Sequence, residues 1–270
     1  DIALNKIADQ FTAHTNVRFD VLHDFSHKHL VGLQGGRIPA CYMMWDPIYY
    51  KYPKSPYNIV CLSEWQRLRF EALYHQKAML GLTGFLDTKK FKPIAQERND
   101  RFLFLGKLSE EKGADLALEY ARELHVPLDI VGGLIPSEAD SKYVDFLRQE
   151  ATGDIEVHFN VTEEEKLHFL HTAKALIYPV RQEEAHWLAG IEASAVECPV
   201  IVMDRGAMST IMPREWVVPD KTAFLEKMLN VKIDYSVAKW GEFTRNHYGL
   251  ENCVKSYLLM YRALLNGVAW

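Results

Sequence analysis

Proline and glycine are sparse in this 270-residue sequence, at 11 and 15 residues, which excludes a collagenous or low-complexity chain. No run of 18 apolar residues occurs, so no segment reads as a membrane-spanning helix. The start, DIALNKIADQFTAH, lacks the basic and then apolar order of a signal peptide. Positive charge is not in excess. The formal net charge is −5, and without a basic footprint nucleic acid is not an expected partner. Cysteine is scarce too: Cys41, Cys61, Cys198 and Cys253 have no CxxC spacing and sit in apolar or helical surroundings. That is the pattern of buried thiols, and it fits a reducing cytoplasm. There is no internal repeat and no Walker-type phosphate loop.

The sequence is 48% hydrophobic and 25% charged, enough apolar material for one large domain or two small ones. Short runs rich in β-branched and aromatic residues alternate with longer stretches of helical period, which predicts an α/β fold with parallel sheets covered by helices. Strands are expected at 19–22, 38–43, 58–62 and 77–82, with helices over 2–15 and 64–73. The segment FLDTKKFKPIAQERND, carrying Pro93 and a cluster of charges, reads as a linker. Five further strands follow, at 101–105, 127–131, 155–159, 175–178 and 199–203. The helices between them are expected at 114–124, 141–150, 163–172 and 191–196. Apolar positions at helical spacing from Val237 to Leu265 predict one long amphipathic helix. The domain reading is therefore 1–96, 97–236 and a closing helix within 237–270 that packs across both.

The sharpest local feature is YPVRQEEAHWLAGIEASAVECPVIVM, in which seven residues separate Glu184 from Glu192. Two carboxylates at this spacing are by themselves most often solvated groups flanking a helix. Residues eight apart lie a little over two turns apart, so Glu184 reaches a helix mouth only if it precedes the helix. The stretch resembles glycosyltransferase family 4 of the GT-B fold, whose pattern is a Pro-ending strand, Glu, seven residues, Glu-Ala and then Pro-Val-Ile. That resemblance implies that Glu184 lies beside the donor sugar and that Glu192 binds the nucleotide ribose. A diphosphate would then meet the free N–H groups of the helix start, near His186, Trp187 and Leu188.

Other segments match in order along the chain. FLFLGKLSEEKGADLALEYA resembles the family's strand, Gly-Arg-Leu and Lys-Gly, so Gly106, Lys107 and Lys112 inherit the diphosphate-binding positions. Lys107 stands where the family usually has Arg, keeping the charge without the forked grip. LDIVGG and IEVHFNVTEEEKLHFLHTAKALIYP resemble the strands leading to the site, which implies base contacts at Asn160, Val161 and Leu167. GFLDTKKFKP looks like the crossover between domains, and NHYGLENCVKSYLLMYRALL like the closing helix.

The resemblance implies a GT-B-like arrangement of two facing Rossmann-type domains. The first would be short of an amino-terminal segment, since the family's opening strand and Gly-rich loop are not seen and only four strands are counted there. It further implies a retaining, metal-independent transferase. The co-substrate would be a UDP- or GDP-linked sugar, with no other cofactor, and the acceptor a glycan, lipid or small molecule.

Departures cluster at the donor site. Ala185, His186 and Trp187 replace the family's Pro-Phe-Gly or Gly-Phe-Gly, so a Trp stands where backbone would approach a phosphate or sugar. Glu197 replaces another Gly, and the usual later carboxylate is a hydroxyl within Ser209–Thr210. These changes imply a pocket of different shape or one partly disabled. The alternative is accordingly a non-catalytic GT-B module that binds a nucleotide sugar or a partner protein, with a sugar-nucleotide epimerase as a third possibility. RFDVLHDFSHKH gathers Asp20, His23, Asp24, His27 and His29. The resemblance reads His23 as cleft lining, and no metal site is expected. Trp45 and Asp46 stand where the family favours His followed by Asp or Gly, and stacking on a sugar and core packing are both open for Trp45. Gly35 and Gly36 read as a turn.

Overall fold

The structure is a computed structural model that describes residues 20–25, 39–45, 58–82, 84–133 and 138–270. The expected helix over 2–15, the turn at Gly35–Gly36, and His27, His29 and Asp46 lie outside them. The chain divides into two compact units, residues 1–85 with 251–270, and residues 86–250. The segment read as a linker falls within the second unit from Leu86 onward.

The first unit carries a four-stranded sheet of β1 (Leu22–Asp24), β2 (Ala40–Met44), β3 (Ile59–Cys61) and β4 (Met79–Leu80) in sequential order, every described pairing being parallel. Its first strand runs from Leu22 to Asp24 and overlaps the expected range 19–22 only at Leu22. Helix α1 (Glu64–Tyr74) follows β3 and is started by Ser63, whose side chain accepts from the N–H of Gln66. Gln66 is itself buried; its amide donates to the Met44 carbonyl at 3.0 Å and accepts from the N–H of Leu62 at 2.7 Å. Those two bonds fix the helix to the ends of β2 and β3. Tyr42, Met44, Ile59, Cys61 and Phe70 form the core on that side.

The second unit is built on six parallel strands: β5 (Phe102–Leu105), β6 (Leu128–Gly132), β7 (Ile155–Phe159), β8 (Ala175–Tyr178), β9 (Val200–Met203) and β10 (Val217–Val218). Their spatial order is β10-β9-β8-β5-β6-β7. Strands β5, β8 and β9 are buried throughout as FLFL, ALIY and VIVM, the unbroken apolar runs that a sheet covered on both faces requires. Strand β7 at the edge is largely half-buried.

Helices α2 (Ala114–Leu124), α3 (Glu138–Glu150), α4 (Glu163–Thr172) and α5 (Leu188–Ala195) connect the strands as expected. Short α6 (Met208–Ile211), β10 and α7 (Lys221–Leu229) extend the unit beyond the five strand–helix repeats read from the sequence. Helix α4 opens with a capping box in which Thr162 accepts from the N–H of Glu165 and the Glu165 carboxylate accepts from the N–H of Thr162.

One expectation is corrected. The single closing helix is two helices, α8 (Tyr235–Tyr248) and α9 (Leu250–Leu265), broken at Gly249, whose backbone is extended (φ −60°, ψ 144°). At the break Leu86 donates to the Tyr248 carbonyl at 2.9 Å and Leu250 donates to the Leu86 carbonyl at 3.1 Å. A helix cannot continue while its backbone is pairing with another segment. Helix α8 belongs to the second unit, and α9 from Glu251 to the first.

At the amino ends of the strands, Arg98 ties two helices together. Its guanidinium donates to the carbonyls of Leu170 and Ala173 at the end of α4, and to that of Val196 at the end of α5. Helix carbonyls left unpaired at a C-terminus are natural partners for a cation.

Candidate functional site

In the six-stranded sheet the chain order runs outward in both directions from the boundary between β5 and β8. Loops leaving two such strands at their carboxyl ends diverge to opposite sides and leave a crevice, where ligands of open α/β sheets bind. Gly106, Lys107 and Lys112 follow β5 and Glu184 follows β8, so all four leave the sheet at this point.

The two loops are held together by glycines whose backbone no other residue would fit. Gly113 has φ +81°, and a Cβ there would strike the carbonyl of Pro179, just past β8. Gly206, after β9, has φ +63°, and a Cβ there would overlap the backbone of Glu184. The Glu184 carbonyl accepts from the N–H of Ala207 at 2.8 Å. Glu184 is thus pinned by its main chain, and its side chain is nearly buried, at 7% exposure.

The Glu184 carboxylate receives three donors, all on Oε1: the Lys112 ammonium, the Tyr178 hydroxyl at 2.9 Å and the Gln182 amide at 3.2 Å. Its Oε2 has no hydrogen-bond partner among the described residues. Burial, and after it the Glu184 charge, raise the Tyr178 phenol well above its usual range, so it stays a donor. Lys107 sits 3.6 Å from Glu111, one turn along.

Glu192 lies a turn into α5 and is as buried as Glu184, at 8% exposure. Its Oε1 accepts from Lys166 of α4 at 2.8 Å. Burial pushes the Glu192 carboxyl up, with Lys166 pulling the other way. Lys166 also lies over the Phe91 ring at 5.2 Å. Sequence reading did not find Lys166. It is a lone cation in the acidic turn EEEK, and only the fold brings it to Glu192.

Trp187 precedes α5 without capping it through its side chain, and the N–H groups of Leu188, Ala189 and Gly190 have no partner among the described residues. The Trp187 indole stacks on Tyr178, with centroids 4.5 Å apart and planes 9° apart. The indole also lies against Gly190, where a Cβ would collide with the ring. Trp187 is therefore a wall of the crevice, in contact with the residue that holds Glu184. His186 is half-buried and meets Tyr248 edge-on at 6.2 Å, while Leu188 is largely exposed.

Asn160 follows β7 in a left-handed conformation (φ 49°) and donates through its N–H to the Gly132 carbonyl at 3.2 Å. Val161 and Leu167 are half-buried beside it along the chain. His23 belongs to the other unit, where its Nδ1 is 2.8 Å from the Tyr261 hydroxyl and its ring packs with Phe25 and Tyr257. Trp45 bonds the Phe25 carbonyl at 2.7 Å in the same unit. Among the described residues, Asp129, Glu156 and His158 come within metal-ligating reach of one another, but Arg101 covers both oxygens of Asp129. No helix among the described residues is long and apolar enough to cross a membrane.

The family of glycosyl transferases group 1 matches residues 86–245, more than half of the chain. No curated protein matches the chain by sequence. Several solved structures share its fold. AviGT4, a glycosyltransferase involved in avilamycin A biosynthesis, is 20% identical with a TM-score of 0.74, over 98% of this chain and 79% of that one. A sucrose-phosphate synthase from Thermosynechococcus elongatus is 16% identical with a TM-score of 0.78, over 98% and 78%. HepE from Anabaena, solved with UDP, is 13% identical with a TM-score of 0.79, over 96% and 81%. The two parallel sheets and their connections are those of the GT-B fold.

Proposed function

Because the chain belongs to the family of glycosyl transferases group 1, we propose that it moves a sugar from a nucleotide diphosphate sugar to an acceptor hydroxyl, retaining the anomeric configuration without a metal, as family 4 enzymes do. The observation that carries this reading is the meeting of Lys112 with Glu184 where β5 and β8 diverge. A cation and a carboxylate held in a sheet crevice, beside a helix start with free N–H groups, suit a ligand that joins a diphosphate to a polyol.

In this reading Lys107, Lys112 and the first turn of α5 take the diphosphate. Charge that develops on the leaving phosphate is met by groups already in place, which is how such a site lowers a barrier. Glu184 offers Oε2 to a sugar hydroxyl. Glu192, with one oxygen on Lys166, offers the other to the ribose. Asn160, Val161 and Leu167 line the base. The departing phosphate takes the acceptor's proton, since no side chain among the described residues is assigned as a base. UDP is the first nucleotide to try, because HepE was solved with it. The acceptor is a glycan, lipid or small molecule, and the site of action is the cytoplasm or its membrane face.

A second reading is favoured by one observation, the indole of Trp187 where the family pattern has Gly. On that reading the module binds a nucleotide sugar and does not turn it over. Thermal unfolding with UDP-, GDP- and ADP-sugars tests both: a ligand at 100 times its Kd stabilises by about 2.7 kcal/mol. Glu192→Ala is expected to abolish most of that shift, and an unchanged shift would remove Glu192 from the ribose. Transfer or hydrolysis of the bound donor supports the enzyme, and binding without turnover supports the module.

A further inference from the structure

Tyr178 ends β8 and is almost wholly buried, yet its hydroxyl is spent on a single acceptor, Oε1 of Glu184 at 2.9 Å. We infer that Tyr178, clamped by Trp187, is a positioning residue that fixes the rotation of the Glu184 carboxylate so that Oε2 is presented to the donor sugar. The inference rests on the functional reading above and goes beyond it. It assigns a purpose to a tyrosine outside the Glu-seven-Glu pattern and to the tryptophan that departs from that pattern.

Two geometric facts carry it. First, the donors to Glu184 are not shared between its oxygens. Lys112, Tyr178 and Gln182 all reach Oε1 and leave Oε2 without a protein partner among the described residues. A carboxylate rotates freely about its terminal bond unless something distinguishes its oxygens, and three donors on one side do so. Second, the tyrosine is not free to yield. Trp187 covers one face at 4.5 Å, nearly parallel, and Phe104 packs at 5.9 Å. The missing Cβ of Gly190 makes room for the indole. Lys112 alone could not do this work, because a diphosphate would compete for its charge. The tyrosine hydroxyl is neutral and walled in, so it keeps Glu184 oriented when the donor arrives.

The test separates sugar recognition from nucleotide recognition. Affinities of the wild type for UDP, GDP and ADP, and for hexoses linked to each, are measured by calorimetry. The ratio of nucleotide Kd to nucleotide-sugar Kd is the increment due to the sugar. Tyr178→Phe is expected to cut that increment roughly tenfold, the size of a hydrogen bond to a charged group, and to leave the affinity for the free nucleotide within twofold. On a Glu184→Ala background the same substitution is expected to change nothing further, an outcome that a packing role would not produce.

The inference is overturned if Tyr178→Phe keeps the sugar increment, or loses as much of it with Glu184 absent. Should Tyr178→Phe weaken the free nucleotide as well, the pocket wall itself has been damaged, and Gln182→Leu carries the test. A threefold loss of the increment is then expected, and an unchanged increment overturns the inference. If no nucleotide or nucleotide sugar binds the wild type, the functional reading fails and this inference falls with it.

Discussion

Glu184 and Glu192 stand eight positions apart, are equally buried, and are held in opposite ways. Glu184 sits in a loop where every degree of freedom is taken up, its backbone against Gly206 and Ala207 and its carboxylate by three donors. Glu192 rides on a helix and, among the described residues, has one side-chain hydrogen-bond partner, Lys166. A buried carboxylate with many neutral and charged donors tolerates the loss of one of them. A buried carboxylate with a single cation does not, because its desolvation is then uncompensated.

The difference is sharpest in the backbone. Gly206→Ala forces a left-handed alanine into the main chain of Glu184, and a loss of about 3 kcal/mol is expected in denaturant unfolding. Next come the two lysines. Lys166→Met is expected to cost about 2 kcal/mol by leaving Glu192 alone, whereas Lys112→Met should cost no more than about 1 kcal/mol, since Tyr178 and Gln182 remain on Glu184. Equal losses in the two unfolding curves would break the comparison.

The smallest effect is a pH dependence. The folded protein holds the Glu192 proton above the ordinary carboxyl value of 4.5. The stability associated with that proton is fully present below the unfolded value and is lost as pH rises through the raised one. Glu192→Gln should therefore gain stability relative to wild type as pH climbs out of the acid range. A difference that stays flat from pH 4 to pH 7 would contradict the assigned burial cost.

Much of the second unit is legible in the sequence because its inner strands are buried on both faces and so appear as uninterrupted apolar runs. The break at Gly249 is not, since apolar residues keep helical spacing on both sides of it and the interruption comes from Leu86, distant in sequence. Strand β10, at two residues, is too short for any periodicity. Helix α7 did leave a signal, Asp220 capping the N–H of Ala223 at 2.9 Å, just ahead of a helical run.

At the crevice, the glutamates and Lys112 stand out by resemblance to the family's pattern, but their partners do not. Tyr178 looks like an ordinary strand residue and Lys166 like a solvated charge until α4 and α5 are packed together. The left-handed Glu197 (φ 61°) shows how a departure from the family's glycine is accommodated, for its carboxylate meets Arg245 at 3.1 Å.

The Arg98 guanidinium described above has a mechanical consequence for the carboxylate eight positions on from Glu184. It joins the trailing ends of α4 and α5 to one rigid planar group, so the two rods share a pivot. Lys166 and Glu192 ride on those same rods, and the gap between them is set by the angle at that pivot. A disturbance at Arg98 would therefore be felt as a change of grip on Glu192, with leverage supplied by the helices themselves.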